Sequence, residues 1–237
     1  MTDEGGERDG LPALAHARKV AAERRNRRPP HHYDGAVLVK WIRCGVLDRD
    51  GFDRGQRTWV ALRERPGFHG QAGGWSRSQP GVAHLFGFWD GQQSYDAFMA
   101  GPHAELAAAQ AGTYEMLAAR TFTHRLDVKV GFEPRFTDAD LLRVALCKVR
   151  PERVDHFTQM QERVWNPAMA GSPGMLRGLF AEGSDSDFLV LSAWDSATEH
   201  GKYREGAVTR LSERADLDAD VLSVAGDIVD VVPGWTV

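Results

Sequence analysis

The sequence predicts an α+β protein: two tandem ferredoxin-like domains packed sheet to sheet as a pseudo-dimeric α+β barrel within one chain. Three observations predict it. The stretch LFGFWDGQQSYDAFM, beginning at Leu85, is echoed by VLSAWDSATEHGKYR from Val190, with the two Trp-Asp pairs 105 residues apart. Stacked repeats have periods of roughly 20–50 residues, so this spacing marks a repeated domain. The same offset relates Phe52 to Phe157 and Gln56 to Gln161. Finally, each half reads in the order β-α-β-β-α-β, and 237 residues suffice for two domains of about 100. Each such sheet has one face covered by helices and another that must be hidden, and packing the two sheets together hides both.

Residues 1–34 stand apart, expected as a disordered or partly helical tail. Weak helical periodicity from Leu11 ends in a basic cluster and then Pro29-Pro30, which cannot continue a helix. Residues 35–135 form the first domain. AVLVKWIRCGV reads as a strand by its Val, Ile and Trp content. RDGFDRGQRTWVALRER carries Phe52, Gln56, Trp59 and Leu62 at helical spacing, and Pro66-Gly67 stops it. HGQAGGWSR is a glycine-rich strand, where absent side chains let a ligand or another backbone come close. VAHLFGFWD is the third strand, helices follow on both sides of Gly101-Pro102, and YEMLAARTFTHRLDV is the fourth strand. Residues 136–237 repeat the order as a degenerate copy: LLRVALCKV, the helix ERVDHFTQMQERVWN, the hairpin GMLRGLFAE–DFLVLSAWD, a helix from Ser196, and ADVLSVAGDIVDVV.

Composition excludes several function classes. A net charge of −4 gives no reason to expect a nucleic-acid partner. The two cysteines, Cys44 and Cys147, have no CxxC or Cys/His spacing, so no metal site or disulfide framework is expected. No apolar run reaches the ~20 residues of a membrane span, and no signal-peptide apolar region opens the chain. The expectation is a cytoplasmic protein without a membrane partner, a monomeric pseudo-dimer or a homodimer.

The pattern resembles the antibiotic-biosynthesis-monooxygenase-like dimeric α+β barrel superfamily, whose third strand closes on Trp-Asp or Trp-Glu before a helix bearing an aromatic. The first domain is similar to the uncharacterised YdbC-like family through VKWIRC, Gln56, Trp59, Gln71 to Trp75, Phe88-Trp89, Phe98, Met99 and His103. Cofactor-independent monooxygenases of the superfamily place a Tyr six residues after that Trp. The resemblance therefore implies Trp89 and Tyr95 as the catalytic proton-donor pair. The Asn and Arg that accompany the pair in those enzymes are replaced here by Leu85 and Ala109. Heme-degrading relatives need an Asn on the first strand, absent here, and Phe98 stands where their Trp would be.

These residues define the expected site. Tyr95, an ordinary phenol at neutral pH, is a protonated donor for a substrate oxygen. Trp41, Trp59, Gln71 and Trp75 add an aromatic, weakly polar set for substrate binding, with no equal in the second domain, which is expected to support the first. His84 alternates with Leu85 and shares the face of Phe86 and Phe88, so it belongs either to substrate or to the interface between the sheets. His103, beside Gly101-Pro102, is either a ligand contact or a loop contact. The expected activity is an oxygenase or related tailoring enzyme acting on a small aromatic molecule, without a cofactor or with reduced flavin assisting; heme is disfavoured, and no Rossmann fingerprint calls for a nicotinamide. The rival is a non-catalytic small-ligand-binding or stress-related protein, and a heme-binding enzyme comes third.

Overall fold

A computed structural model describes residues 37–129 and 131–237; the tail expected over residues 1–34 lies outside them. The first half comprises β1 (Leu38–Val46), α1 (Arg49–Thr58) continued by a 3-10 helix (Trp59–Glu64), β2 (Phe68–Ser76), β3 (Val82–Trp89), α2 (Gln92–Ala100), α3 (His103–Ala108) and β4 (Tyr114–Asp127). The second comprises β5 (Leu141–Val149), α4 (Val154–Met160), a π-helical turn (Gln161–Trp165), α5 (Asn166–Ala170), β6 (Met175–Glu182), β7 (Asp187–Trp194), α6 (Ala197–Arg214), α7 (Leu217–Asp220) and β8 (Val221–Val231). The helix read over ERVDHFTQMQERVWN is continuous through α4, the π-helical turn and α5, from Val154 to Ala170.

The strands close a barrel in the order β1-β3-β2-β8-β5-β7-β6-β4. Each half keeps the ferredoxin-like order, 4-1-3-2 in its own strands. Two seams join them: β2 to β8 at Gly74–Ser76 and β4 to β6 at Thr123–Asp127. Closure satisfies the edges that two separate sheets would leave open at these seams. The internal registers coincide, since Leu38 faces Trp89 in the first half and Leu141 faces Trp194 in the second. Those pairs make Lys40 the counterpart of Arg143, Gly87 of Ser192, Tyr95 of His200 and Phe98 of Tyr203.

Alternation along the strands decides what meets the helices and what fills the barrel. His84, Phe86 and Phe88 of β3 point inward, where Phe86 stacks on Trp41 with rings parallel to within 1°. The connection between halves closes one end, Phe136 lying 5.3 Å from Phe88. Leu85, Gly87 and Trp89 point outward beneath α1, α2 and α3. The outer core of the first half is in two clusters, one around Leu38, Leu62, Trp89 and Phe98, the other around Cys44, Phe52, Leu85 and Trp235. The second half has a larger cluster around Phe157, Phe180, Phe188 and Trp194. A pocket of about 180 Å³ opens beside it.

Candidate functional site

Three strands build the floor of a cavity in the first half. Lys40 of β1 and Gln71 of β2 both stand opposite Gly87 of β3, making one row across the sheet. Ile42 and Leu85 form the next row. Over this floor lie Trp59 and Leu62 from the 3-10 helix, Tyr95, Phe98 and Met99 from α2, and His103 from α3. The volume is about 100 Å³, and exposed Met99 and Met116 in its lining leave it open to solvent. An enclosed apolar cavity of about 150 Å³ takes benzene, so a single ring bound here extends into the open mouth.

The walls are aromatic. Trp89, buried to 3% exposure, stacks on Phe98 at 4.8 Å and meets Phe68 at 4.9 Å and Tyr95 at 5.9 Å. His103 packs edge-on against Phe98 and Trp59. Burial lowers the pKa of His103, leaving a neutral imidazole at pH 7.

The polar groups are arranged in one sense. Gln71 Nε2 donates to the main-chain oxygen of Trp235 at 3.2 Å and to Gln56 Oε1 at 3.3 Å. Gln56 Nε2 in turn donates to Gln110 Oε1 at 2.9 Å. The Trp235 carbonyl can only accept, so it fixes the direction of the whole amide chain. That chain ends in Gln110 Nε2, buried and without an acceptor. Gly55 permits the arrangement, because a Cβ there would come 2.1 Å from Gln110 Cγ. Trp59 Nε1 is likewise buried without an acceptor.

Trp89 Nε1 lies over Gly87, 3.4 Å from where a Cβ would stand. In the second half the counterpart of that glycine is Ser192, whose hydroxyl accepts from Trp194 Nε1 at 3.0 Å. Trp89 has no such acceptor among the described residues, and the Tyr95 hydroxyl has no partner among them either. Burial raises the Tyr95 pKa, with the nearby Asp96 charge adding to it, so the phenol stays protonated. Lys40 completes the set: its Nζ donates to Thr121 Oγ1 at 3.3 Å and lies 5.4 Å from the Tyr95 ring centre. Burial lowers its pKa, and no carboxylate pairs with it among the described residues. Cys44, also in the wall, is pushed up to about 12 by burial and stays a neutral thiol.

Of the residues expected from sequence, Trp59, Gln71, Trp89, Tyr95 and His103 meet around this cavity. Trp41, Trp75 and His84 do not. Trp41 has the opposite parity to Lys40 and points into the barrel. Its Nε1 donates to His84 Nδ1 at 3.2 Å, leaving the imidazole proton on Nε2, which lies 3.1 Å from Asp227 Oδ2 across the seam. Burial pulls His84 down to about 4, so it is neutral there and serves the junction of the two halves. Trp75 has the right parity but lies farther along the sheet, covered by Trp235 at 5.1 Å, Phe52 at 6.2 Å and the Arg49 guanidinium at 3.9 Å. Sequence reading missed Lys40 and Gln110. A lysine inside an otherwise apolar strand was the available signal for the first; nothing local marks the second.

Comparison with known proteins agrees with this organisation. Residues 38–122 match a family described as a domain of unknown function, DUF4937. Over 71 residues, 28% of the chain, the sequence is 34% identical to the uncharacterized protein YdbC of Bacillus subtilis (strain 168), spanning 60% of that relative's length. Among solved structures, a provisionally named monooxygenase of Fusobacterium nucleatum superposes with a TM-score of 0.69, covering 84% of this chain and 93% of that one at 8% identity. Another from Lactobacillus acidophilus NCFM gives 0.63, covering 83% and 94% at 13% identity. At such identities the likeness is one of fold: the described chain has the architecture of the monooxygenase-like ferredoxin-fold proteins, and its first half is similar to the YdbC-like family. No described helix is long and apolar enough to cross a membrane.

Proposed function

We propose that the first-half cavity binds a one-ring phenol or hydroquinone and oxidises it with dioxygen, without a resident cofactor. The observation that carries this reading is the polarity of the lining: the Trp89 indole N–H, the Tyr95 hydroxyl and the half-buried Lys40 ammonium are all donors on residues that line the cavity, and no carboxylate pairs with Lys40 among the described residues. A ligand that brings oxygen acceptors pairs with them, a net gain of about 0.5–1.5 kcal/mol for each hydrogen bond. Lys40 favours the anionic form of that ligand, lowering the phenol's pKa, and neutral His103 is a base able to take its proton.

The chemistry then belongs to the substrate. The ring anion gives electrons to dioxygen and forms a carbon–oxygen bond; the resulting hydroperoxide loses water and becomes a carbonyl. One oxygen atom enters the product and the other leaves as water, so phenol and dioxygen give quinone and water with no outside reductant. Tyr95, beside Trp89 and protonated at neutral pH, is suited to deliver the proton that the departing oxygen requires. The monooxygenase names of the fold relatives support the reaction class.

Oxygen uptake with a panel of one-ring phenols, and with their methyl ethers as controls, tests the proposal. Phenol-dependent uptake above the uncatalysed blank, absent with the ethers, is the expected result. Phenols that bind without uptake would transfer the site to the ligand-binding reading. That second reading draws on Leu85, which lines the cavity where the oxygenases carry a polar partner.

A further inference from the structure

The second half holds its own cavity on the helix side of β5 and β7, walled by Phe157, Trp165, Met169, Val190 and Tyr203. Its volume, about 180 Å³, exceeds that of the first and suits a single substituted ring. The lining is apolar except at a few points, and the outstanding one is Arg143. This residue is the register counterpart of Lys40, on the same strand position of the repeated sheet. No carboxylate pairs with it, and no hydrogen bond of its guanidinium is made among the described residues.

The surroundings offer no hidden compensation. The titratable groups that act on Arg143 are Cys147 and Tyr203. Burial pushes Cys147 up to about 11 and Tyr203 up to about 12, so both are neutral at pH 7. His200, held near 4 by burial and then by the Arg143 charge, is neutral as well. Arg143 is half-buried, and its guanidinium lies in the pocket lining without a counter-ion, available to pair with an anion that enters. The donors differ from those of the first cavity: Trp194 Nε1 is already satisfied by Ser192 and a histidine replaces the tyrosine of α2, while Trp165, Tyr203 and Ser212 bring an indole N–H and two hydroxyls to this lining.

We propose that the second-half cavity is a separate binding site for a small monocarboxylate with an apolar body, its carboxylate paired with Arg143 and its ring or short chain held among Phe157, Trp165 and Met169. A planar guanidinium matches a carboxylate in a two-point contact, which favours carboxylate over other single charges. Ala145 and Val224, also in the lining, limit its size.

Titration calorimetry on the full chain with benzoate, and with benzamide as its neutral analogue, tests this site without reference to oxygen chemistry. Benzoate should bind and benzamide should bind about 10-fold or more weakly, since a charge-assisted contact is lost. Arg143→Met keeps the stem and removes the charge; it should weaken benzoate by about 10–100-fold and abolish the preference over benzamide. Ala145→Leu fills the cavity and should remove benzoate binding while leaving Arg143 in place, which keeps the test decisive if the first variant misfolds. Equal binding of benzoate and benzamide, no benzoate binding in the millimolar range, or benzoate binding that survives either substitution would overturn the assignment.

Discussion

Gly87→Ser transplants into the first half the hydrogen bond that the second half already makes between Ser192 and Trp194. The site can receive it. Gly87 lies in a regular strand, and the nearest heavy atom to an added Cβ is Trp89 Nε1 at 3.4 Å, an ordinary contact. A new hydroxyl there accepts from the indole N–H that now lacks an acceptor, a net gain of about 0.5–1.5 kcal/mol. Removing a glycine from a strand interior adds roughly 0.5–1 kcal/mol. Together these stabilise the unliganded protein by about 1–2.5 kcal/mol, which for a chain of this size raises Tm by roughly 2–10 °C. The same hydroxyl fills part of a cavity of about 100 Å³ and withdraws one donor from the ligand. Binding of any one-ring phenol that the wild type takes should therefore weaken by about 10-fold or more. Thermal unfolding and titration calorimetry on the same preparations read both effects. A stabilised variant that binds phenols as before would refute the contact between Trp89 and ligand; a variant neither stabilised nor weakened would refute the assignment of Gly87 to the cavity floor.

Removing the hydroxyl in Tyr95→Phe should leave folding intact and lower kcat by about 10²–10⁴-fold with little change in KM, whereas a loss of ~3-fold or less would make Tyr95 only a wall. Trp194, fully buried, should cost about 3–5 kcal/mol in Trp194→Ala, measured by chemical denaturation; Trp89→Phe should retain most stability yet lose phenol affinity, and equal behaviour of the two tryptophans would count against the site. His200 has a folded-state pKa near 4 against an ordinary 6.5, so its neutral form contributes stability above pH 6.5 that is lost as the pH falls towards 4. The stability–pH slope in that window should flatten in His200→Phe, and an unchanged slope would show that the imidazole titrates normally.

The architecture was legible because strand and helix order survive divergence, and because the Trp-Asp pair recurs at the end of β3 and β7. The site was legible in part. β1 is buried on both faces, so VKWIRC carries no polar alternation to say which residues meet the helices. Trp41 was thus assigned to the cavity when its neighbour Lys40 belongs there. Gln110 reaches the site only through the close approach that Gly55 allows, and Trp235, which orients the amide chain, comes from far along the sequence. Neither contact has a local signature. The single offset of 105 also concealed a match: β1 and β5 are related by 103 residues, so the larger offset sets Lys40 against Ala145 instead of Arg143.

That concealed match bears on what the two similar halves are for. A core position beneath helices is cheapest when filled by an aliphatic side chain, and exchanging a buried charge for one is often neutral or stabilising. Both halves nonetheless place a cation at this strand position, and neither supplies it with a carboxylate among the described residues. Around the shared feature the remaining groups diverge. Lys40 sits beside a glycine and Tyr95; Arg143 sits where the serine accepts from the tryptophan, a histidine replaces Tyr95 and Tyr203 replaces Phe98. The two sites proposed above, for a phenol and for a carboxylate, would each use the cation of its own half, and the barrel, closed through its seams and its phenylalanine interior, holds the two cavities on separate halves.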